Sequence, residues 1–290
     1  MLRTRVITAL ILGIVLLGAL YLGGLAWGLF VGLVAVTAFG EYLRLWAKAG
    51  LSVSPAVAGV GAVGSVIWTA AAALPATTAT GGLPGFTAGL PLAGPGGAYA
   101  GLLLGLVILI TLATLVVTYP AGSAGGALVV IAGSVYIGWT LAHLVLLRVS
   151  GPLGIWRTLL VFGGVWATDV LAYFVGSLAG RHKLKPSLSP GKTVEGGVGG
   201  LGGGILAAWF LGIPLGLSPG LRLGLGIAVA VLGQTGDLAE SALKRYAGAK
   251  DSGRLLPGHG GVLDRFDSTL VAAPLVYYIL VLWAQRGGGF

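Results

Sequence analysis

The chain has 290 residues, of which 56% are hydrophobic and 9% charged, with a mean hydropathy of +0.98. That balance excludes a soluble globular domain and points to a polytopic membrane protein, in which each span takes about 20 mostly apolar residues. The formal charge of +9 invites a nucleic-acid reading, but the 17 Lys and Arg form no basic stripe interleaved with aromatics, so nucleic acid is excluded as a partner. Absence of cysteine rules out disulfides, thiolate metal sites and cysteine nucleophiles.

Apolar runs punctuated by Gly, Pro and charge predict nine spans, at residues 6–22, 24–40, 53–74, 101–118, 125–147, 157–179, 196–217, 222–243 and 267–285. The first follows Arg3 and Arg5, lacks a convincing cleavage site and runs straight into the second, so it is expected to be retained. Residues 49–147 contain no Asp, Glu, Lys or Arg. Within them, residues 75–100, rich in Gly, Pro, Thr and Ala, are expected to form one long loop on the non-cytoplasmic side. With the N-terminus inside, four of the 17 bases (Arg148, Arg157, Arg222 and Arg286) fall outside and the other 13 fall in the cytoplasm. The positive-inside rule therefore favours N-in and C-out.

The expected fold class is all-α, a polytopic integral membrane helical bundle of about nine transmembrane helices. Residues 1–150 are expected to supply N-terminal transmembrane helices. Residues 151–290 are expected to form a C-terminal catalytic region with cytoplasmic loops 180–195 and 244–266. The 54 glycines suit helices that pack closely through small residues.

Only eight acids occur: Glu41, Asp169, Glu195, Asp237, Glu240, Asp251, Asp264 and Asp267. Read as helix, GQTGDLAESALKR sets Asp237, Glu240, Ser241 and Lys244 at i, i+3, i+4 and i+7 on one face. An intrahelical salt-bridge ladder is the competing explanation, yet a carboxylate at membrane depth is expensive and usually serves an ion or substrate. The next segment, YAGAKDSGRLLPGHGGVLDRFDS, is basic, is broken by glycine and proline, and ends in Asp264 and Asp267, which share a face if a helix starts there. Gly258, Gly260 and Gly261 let a bulky anion approach main-chain amides, and Lys244, Arg245, Lys250, Arg254 and Arg265 surround it with cations. Carboxylates beside a basic glycine-rich loop suit a hard cation such as magnesium bridging phosphates. Zinc does not fit, because His143, His182 and His259 are far apart and no thiolate exists. Alone, His259 reads as a hydrogen-bonding loop residue.

Upstream, LSPGKTVEGG lacks the glycine spacing of the NTPase phosphate loop. Ser189, Lys192 and Thr193 still offer donors at a helix start, with Glu195 in the first turn; a capped, solvated loop is the competing reading. Asp169 lies midway along an apolar span with Tyr173 one turn later, and needs a partner or a cavity. A structural hydrogen bond is the alternative there.

The stretch SALKRYAGAKDSGRLLPGHGGVLDRFDS, from Ser241 to Ser268, resembles the signature of the phosphatidate cytidylyltransferases, or CDP-diacylglycerol synthases. GDLAES, SPGKTVEG and DVLAYFVGSLAGRHKL resemble further blocks of that family in the expected order, so the likeness runs from Asp169 to Ser268. The N-terminal spans resemble the family in hydropathy and in their Arg-led start. Val194 stands where family members usually have tryptophan, and Gly191 where lysine or asparagine is common.

The resemblance implies transfer of CMP from CTP to phosphatidate, giving CDP-diacylglycerol and pyrophosphate. It implies magnesium as cofactor, potassium (K+) as an optional second ion, the lipid bilayer as partner, a homodimer, and an active site on the cytoplasmic face of the cell (inner) membrane. By the same resemblance Asp237 and Asp264 bind the metal (Mg2+), and Asp237, Asp264, Lys244, Lys250 and Asp267 form the catalytic set. Ser189, Lys192, Thr193, Arg245, Asp251, His259 and Arg265 then bind substrate. Rival readings are a CTP-dependent polyprenol kinase, a cytidylyltransferase acting on ether lipids and, from another class, a membrane transporter. Transporters usually show paired repeats, whereas here the polar blocks are confined to the second half.

Overall fold

The computed structural model describes residues 2–51, 53–73, 95–117 and 123–286. In chain order its helices are α1 (Leu2–Leu22), α2 (Gly24–Lys48), α3 (Pro55–Ala73), α4 (Pro95–Val117), α5 (Ala124–Gly133), α6 (Thr140–Val149), α7 (Gly154–Ala179), α8 (Val194–Leu211), α9 (Pro219–Tyr246) and α10 (Leu263–Gln285). A π-helical segment, Ser134–Trp139, joins α5 to α6. A short hairpin, β1 (Lys183–Lys185) and β2 (Ser189–Thr193), precedes α8.

Each of the nine predicted spans overlaps helix among the described residues. Six helical stretches, Gly24–Lys48, Ala124–Val149, Gly154–Ala179, Val194–Leu211, Pro219–Tyr246 and Leu263–Ala284, are long and apolar enough to cross a membrane, and Val6–Leu22, Pro55–Ile67 and Gly105–Val117 are shorter apolar helices. The chain is a multi-pass helical membrane protein. Several expected boundaries need correction. The seventh span stops at Leu211, six residues early, because Gly212 to Gly216 form turns around Pro214, which cannot continue a helix. The loop expected at 75–100 ends at Pro95, where α4 begins; its residues 75–94 lie outside the described residues. Within the loop expected at 180–195 sits the hairpin, and the loop expected at 244–266 narrows to the stretch between Tyr246 and Leu263.

The chain divides into two compact units, the first made of residues 1–150 and 246–265, the second of 151–245 and 266–290. In the first, α2 buries Trp27, Val31, Ala35, Ala38, Phe39, Tyr42 and Leu45 at helical spacing. Lipid is as apolar as these side chains, so close packing rather than escape from water makes the contact favourable. Glycines provide the room: a Cβ on Gly61 would stand 2.3 Å from Phe39 Cζ, and one on Gly133 2.5 Å from Tyr42 Cε1. Two long polar side chains find backbone acceptors inside the unit. Trp27 Nε1 donates to the Leu144 carbonyl at 3.0 Å. Arg148 Nε donates to the Leu20 carbonyl at 2.7 Å, filling an acceptor that the C-terminus of α1 leaves open.

In the second unit α8 lies against α7 at backbone distance. A Cβ on Gly203 would stand 2.2 Å from the Ala167 carbonyl, and one on Gly199 would meet Val175 at 2.5 Å. The other side of α8 meets α9, where a Cβ on Gly226 would stand 2.5 Å from Ile205 Cα. Glycine is thus the residue that lets three helices approach within main-chain contact, the arrangement its frequency suggested.

Candidate active site

In the second unit the site is built on the hairpin. Lys183 pairs with Thr193 and Lys185 with Ser189, with a bulge between. Glu195, in the first turn of α8, accepts from the Arg181 and His182 amides at 3.1 and 3.2 Å and contacts His182 Nδ1 at 2.6 Å. Thr193 caps α8, its hydroxyl accepting from the Gly196 amide at 3.1 Å. At the tip, Arg245 Nε donates to the Leu188 carbonyl at 3.2 Å. Three anchors therefore hold the strand that carries Ser189, Lys192 and Thr193.

That strand presents Lys192 to α9. Lys192 Nζ stands 2.6 Å from Asp237 Oδ2, with both side chains about a third exposed (28% and 31%). Ser241, one turn along α9, donates to Asp237 Oδ1 at 3.3 Å. Buried Glu240 pairs with Lys244 one turn later, so part of this face is the intrahelical ladder that competed with a functional reading. Around Lys192 and Asp237 opens a cavity of about 380 Å³, lined also by Asp169, Tyr173, Ser189, Thr193 and Gln234. Asp169 thus faces a cavity, as an acid inside a span requires. Asp267 is buried near the start of α10, and its Oδ1 accepts from the Ser268 amide at 2.6 Å.

In the first unit, the glycine-rich segment between α9 and α10 is organised by acids. Asp264 Oδ2 accepts from the Gly261 amide at 2.7 Å, the Ser252 amide at 2.9 Å and the Ser252 hydroxyl at 2.9 Å. Gly258 and Gly260 have φ of +77° and +85°, a region that glycine enters freely. Lys250, Asp251, Arg254 and Arg265 are exposed. His259 donates its backbone N–H to the Leu256 carbonyl, while its Nδ1 is buried without a hydrogen-bond partner among the described residues.

The structure therefore gathers Ser189, Lys192, Thr193 and Asp237 around one cavity with Asp169. Lys244 and Arg245 engage Glu240 and the hairpin tip, and Lys250, Asp251, His259, Asp264 and Arg265 belong to the first unit with the glycine-rich segment. Sequence reasoning missed three participants. Gln234 carried no signal, being a lone amide on an apolar helix. His182 was detectable only through its pairing with Glu195, 13 residues away. Glu41, wholly buried, binds partners in the segment more than 200 residues on.

Asp169 and Asp237 on the cavity are oxygen donors of the kind a hard cation takes. Among the described residues no three His, Asp or Glu side chains are drawn together. Magnesium commonly keeps several waters and takes one or two carboxylates plus phosphate oxygens, so a preassembled cage is not required.

This chain belongs to the cytidylyltransferase family, which it matches over residues 3–283. It is 35% identical over 288 residues to a phosphatidate cytidylyltransferase of Brucella abortus, covering 98% of this chain and 95% of that protein. A phosphatidate cytidylyltransferase of Synechocystis is 50% identical over 135 residues, 45% of each chain. One from Staphylococcus aureus is 44% identical over 130 residues, which is 44% of this chain and 50% of the relative. The chain is an enzyme, a nucleotidyltransferase of lipid synthesis.

Proposed function

We infer that the enzyme transfers the CMP unit of CTP to phosphatidate, forming CDP-diacylglycerol and pyrophosphate. The observation that carries this reading is the Lys192–Asp237 pair, with Asp169, on a cavity among apolar helices, in a chain of the cytidylyltransferase family. Phosphatidate's phosphate is already a nucleophile, so no activated serine or cysteine is needed. One of its oxygens bonds to the α-phosphorus of CTP, the bond from that phosphorus to the bridging oxygen breaks, and pyrophosphate leaves with the electron pair. The barrier is repulsion between anions, which preorganised positive charge lowers.

Lys192 is the group best placed to meet an incoming phosphate, and Ser189 supplies a neutral donor beside it. Lys192 pairs with Asp237 in this structure, and a phosphate bound by Lys192 would leave Asp237 to hold a cation. Lys244, Arg245, Lys250, Asp251, His259, Arg265 and Asp267 keep the phosphate-binding and supporting roles that the motif assigns. The motif alone carries the assignment of Asp237 and of Asp264 as the carboxylates that would hold magnesium. Such a cation would supply neutralisation of phosphate charge and orientation of the leaving group. Potassium as a second ion and a homodimer belong to the same proposal.

Phosphatidate's two acyl chains stay in the bilayer while CTP is water-soluble. Tyr173, Phe174 and Leu178, exposed on α7 beside the cavity, suit the lipid. We place the enzyme in the cell inner membrane with this site toward the cytoplasm. Labelled CTP tests the reading: label from the α-phosphate is expected in the lipid product. Label arriving from the γ-phosphate would make the enzyme a kinase and overturn it.

A further inference from the structure

We propose that Glu41 is a positioning residue for the transfer reaction, tethering the glycine-rich segment through Ser252 and Leu263 so that Asp264 is held in one place. The proposal rests on the role given above to Asp264. Glu41 lies on α2, far in sequence from every motif, and has no exposed surface. Its Oε2 accepts from the Leu263 amide at 2.8 Å and lies 3.1 Å from the Ser252 hydroxyl oxygen. That same hydroxyl stands 2.9 Å from Asp264 Oδ2, so Ser252 links the two acids. Leu263 begins α10 and Asp264 follows it, so Glu41 fixes the start of the helix that carries the acid.

The segment is shaped to accept this carboxylate. A Cβ on Gly253 would lie 2.2 Å from Glu41 Oε1, and one on Gly261 2.4 Å from Glu41 Oε2 and 2.2 Å from Ser252 Oγ. Glycine at both positions lets the chain close around Glu41. A carboxylate buried this completely in an apolar helix is costly, and packing alone would be served by leucine. Glu41 Oε1 has no hydrogen-bond partner among the described residues, so the acid is incompletely satisfied where it stands. Partners of this kind act through the residue they orient, and losing them commonly costs about 10- to 100-fold in activity or metal affinity.

The full chain, purified in detergent, is compared with Glu41→Gln, Glu41→Leu, Ser252→Ala and the Glu41→Gln/Ser252→Ala double variant. The readouts are kcat and KM per folded molecule, thermal unfolding, and tryptic cleavage after Lys250 and Arg254. Glu41→Leu and Ser252→Ala are expected to lose about 10- to 100-fold in kcat, with little change in KM for phosphatidate, and to be cleaved faster. Glu41→Gln keeps an acceptor for the Leu263 amide and is expected to retain most of the activity. The double variant is expected to depart from additivity, as linked residues do.

Wild-type kcat and cleavage in a folded Glu41→Leu overturn the proposal, as does activity lost only in proportion to folded protein. Should Glu41→Leu not fold, Ser252→Ala is the test, and normal kcat with normal cleavage there overturns the tether. If wild-type protein transfers no CMP, the proposed function fails instead, while proteolysis still reads the tether without catalysis.

Discussion

Lys192 and Asp237 are joined at 2.6 Å with both side chains partly exposed, and pairs of that kind contribute about 0–1 kcal/mol to stability. Breaking the pair should therefore leave the fold intact, and any large loss of activity belongs to chemistry. Asp237→Asn is expected to insert normally and to lose at least about 100-fold in nucleotidyl transfer, measured on protein that elutes as the wild type. Near-normal turnover would refute its metal role. Asp264 offers the contrasting case: its Oδ2 already accepts three hydrogen bonds from the segment it closes. Asp264→Asn is expected to abolish transfer too, with the added sign of faster proteolysis in that segment. The motif displayed both aspartates because their spacing is local. Glu41 could not be found in that way, since Ser252 and Leu263 lie more than 200 residues from it.

Among the elements, α7, α8 and α9 were legible as apolar runs, and glycines on α8 announced close packing. Gly199 and Gly203 make this quantitative, since a Cβ at either would stand 2.5 Å or less from a neighbouring atom. Gly203→Leu is expected to prevent normal assembly, seen as aggregation in size-exclusion chromatography, because the obstacle is the Ala167 backbone, which cannot rotate aside. Gly202, with nothing within 4 Å of its Cβ position, is the matched control, and Gly202→Ala is expected to behave as the wild type. Wild-type elution of Gly203→Leu would contradict the packing account. The hairpin escaped sequence reading for a physical reason. Its strands are three and five residues long, β1 is exposed throughout, and β2 contains Pro190 and Gly191, so no alternation of buried and exposed residues marks them. The π segment between α5 and α6 was equally silent, because its composition is that of the helices it joins.

For the whole molecule, composition alone was enough to assign the bilayer as solvent, and six helical stretches are long and apolar enough to cross it. Boundaries moved where helices outlast the apolar core, as α2 does by eight residues beyond the predicted 40. Orientation is an expectation from charge: a cytoplasm-restricted reporter fused after Phe290 should be silent, and activity there would sink the N-in, C-out arrangement. Function was legible because the polar blocks are concentrated in one half of the chain, and the family match spans residues 3–283. The central claim is that CTP and phosphatidate react together at this protein. Pyrophosphate release from CTP should therefore be measured in magnesium-containing detergent, with and without phosphatidate. Release that requires phosphatidate and yields one pyrophosphate for each CDP-diacylglycerol is the predicted result; release without phosphatidate, or none with it, would contradict the account.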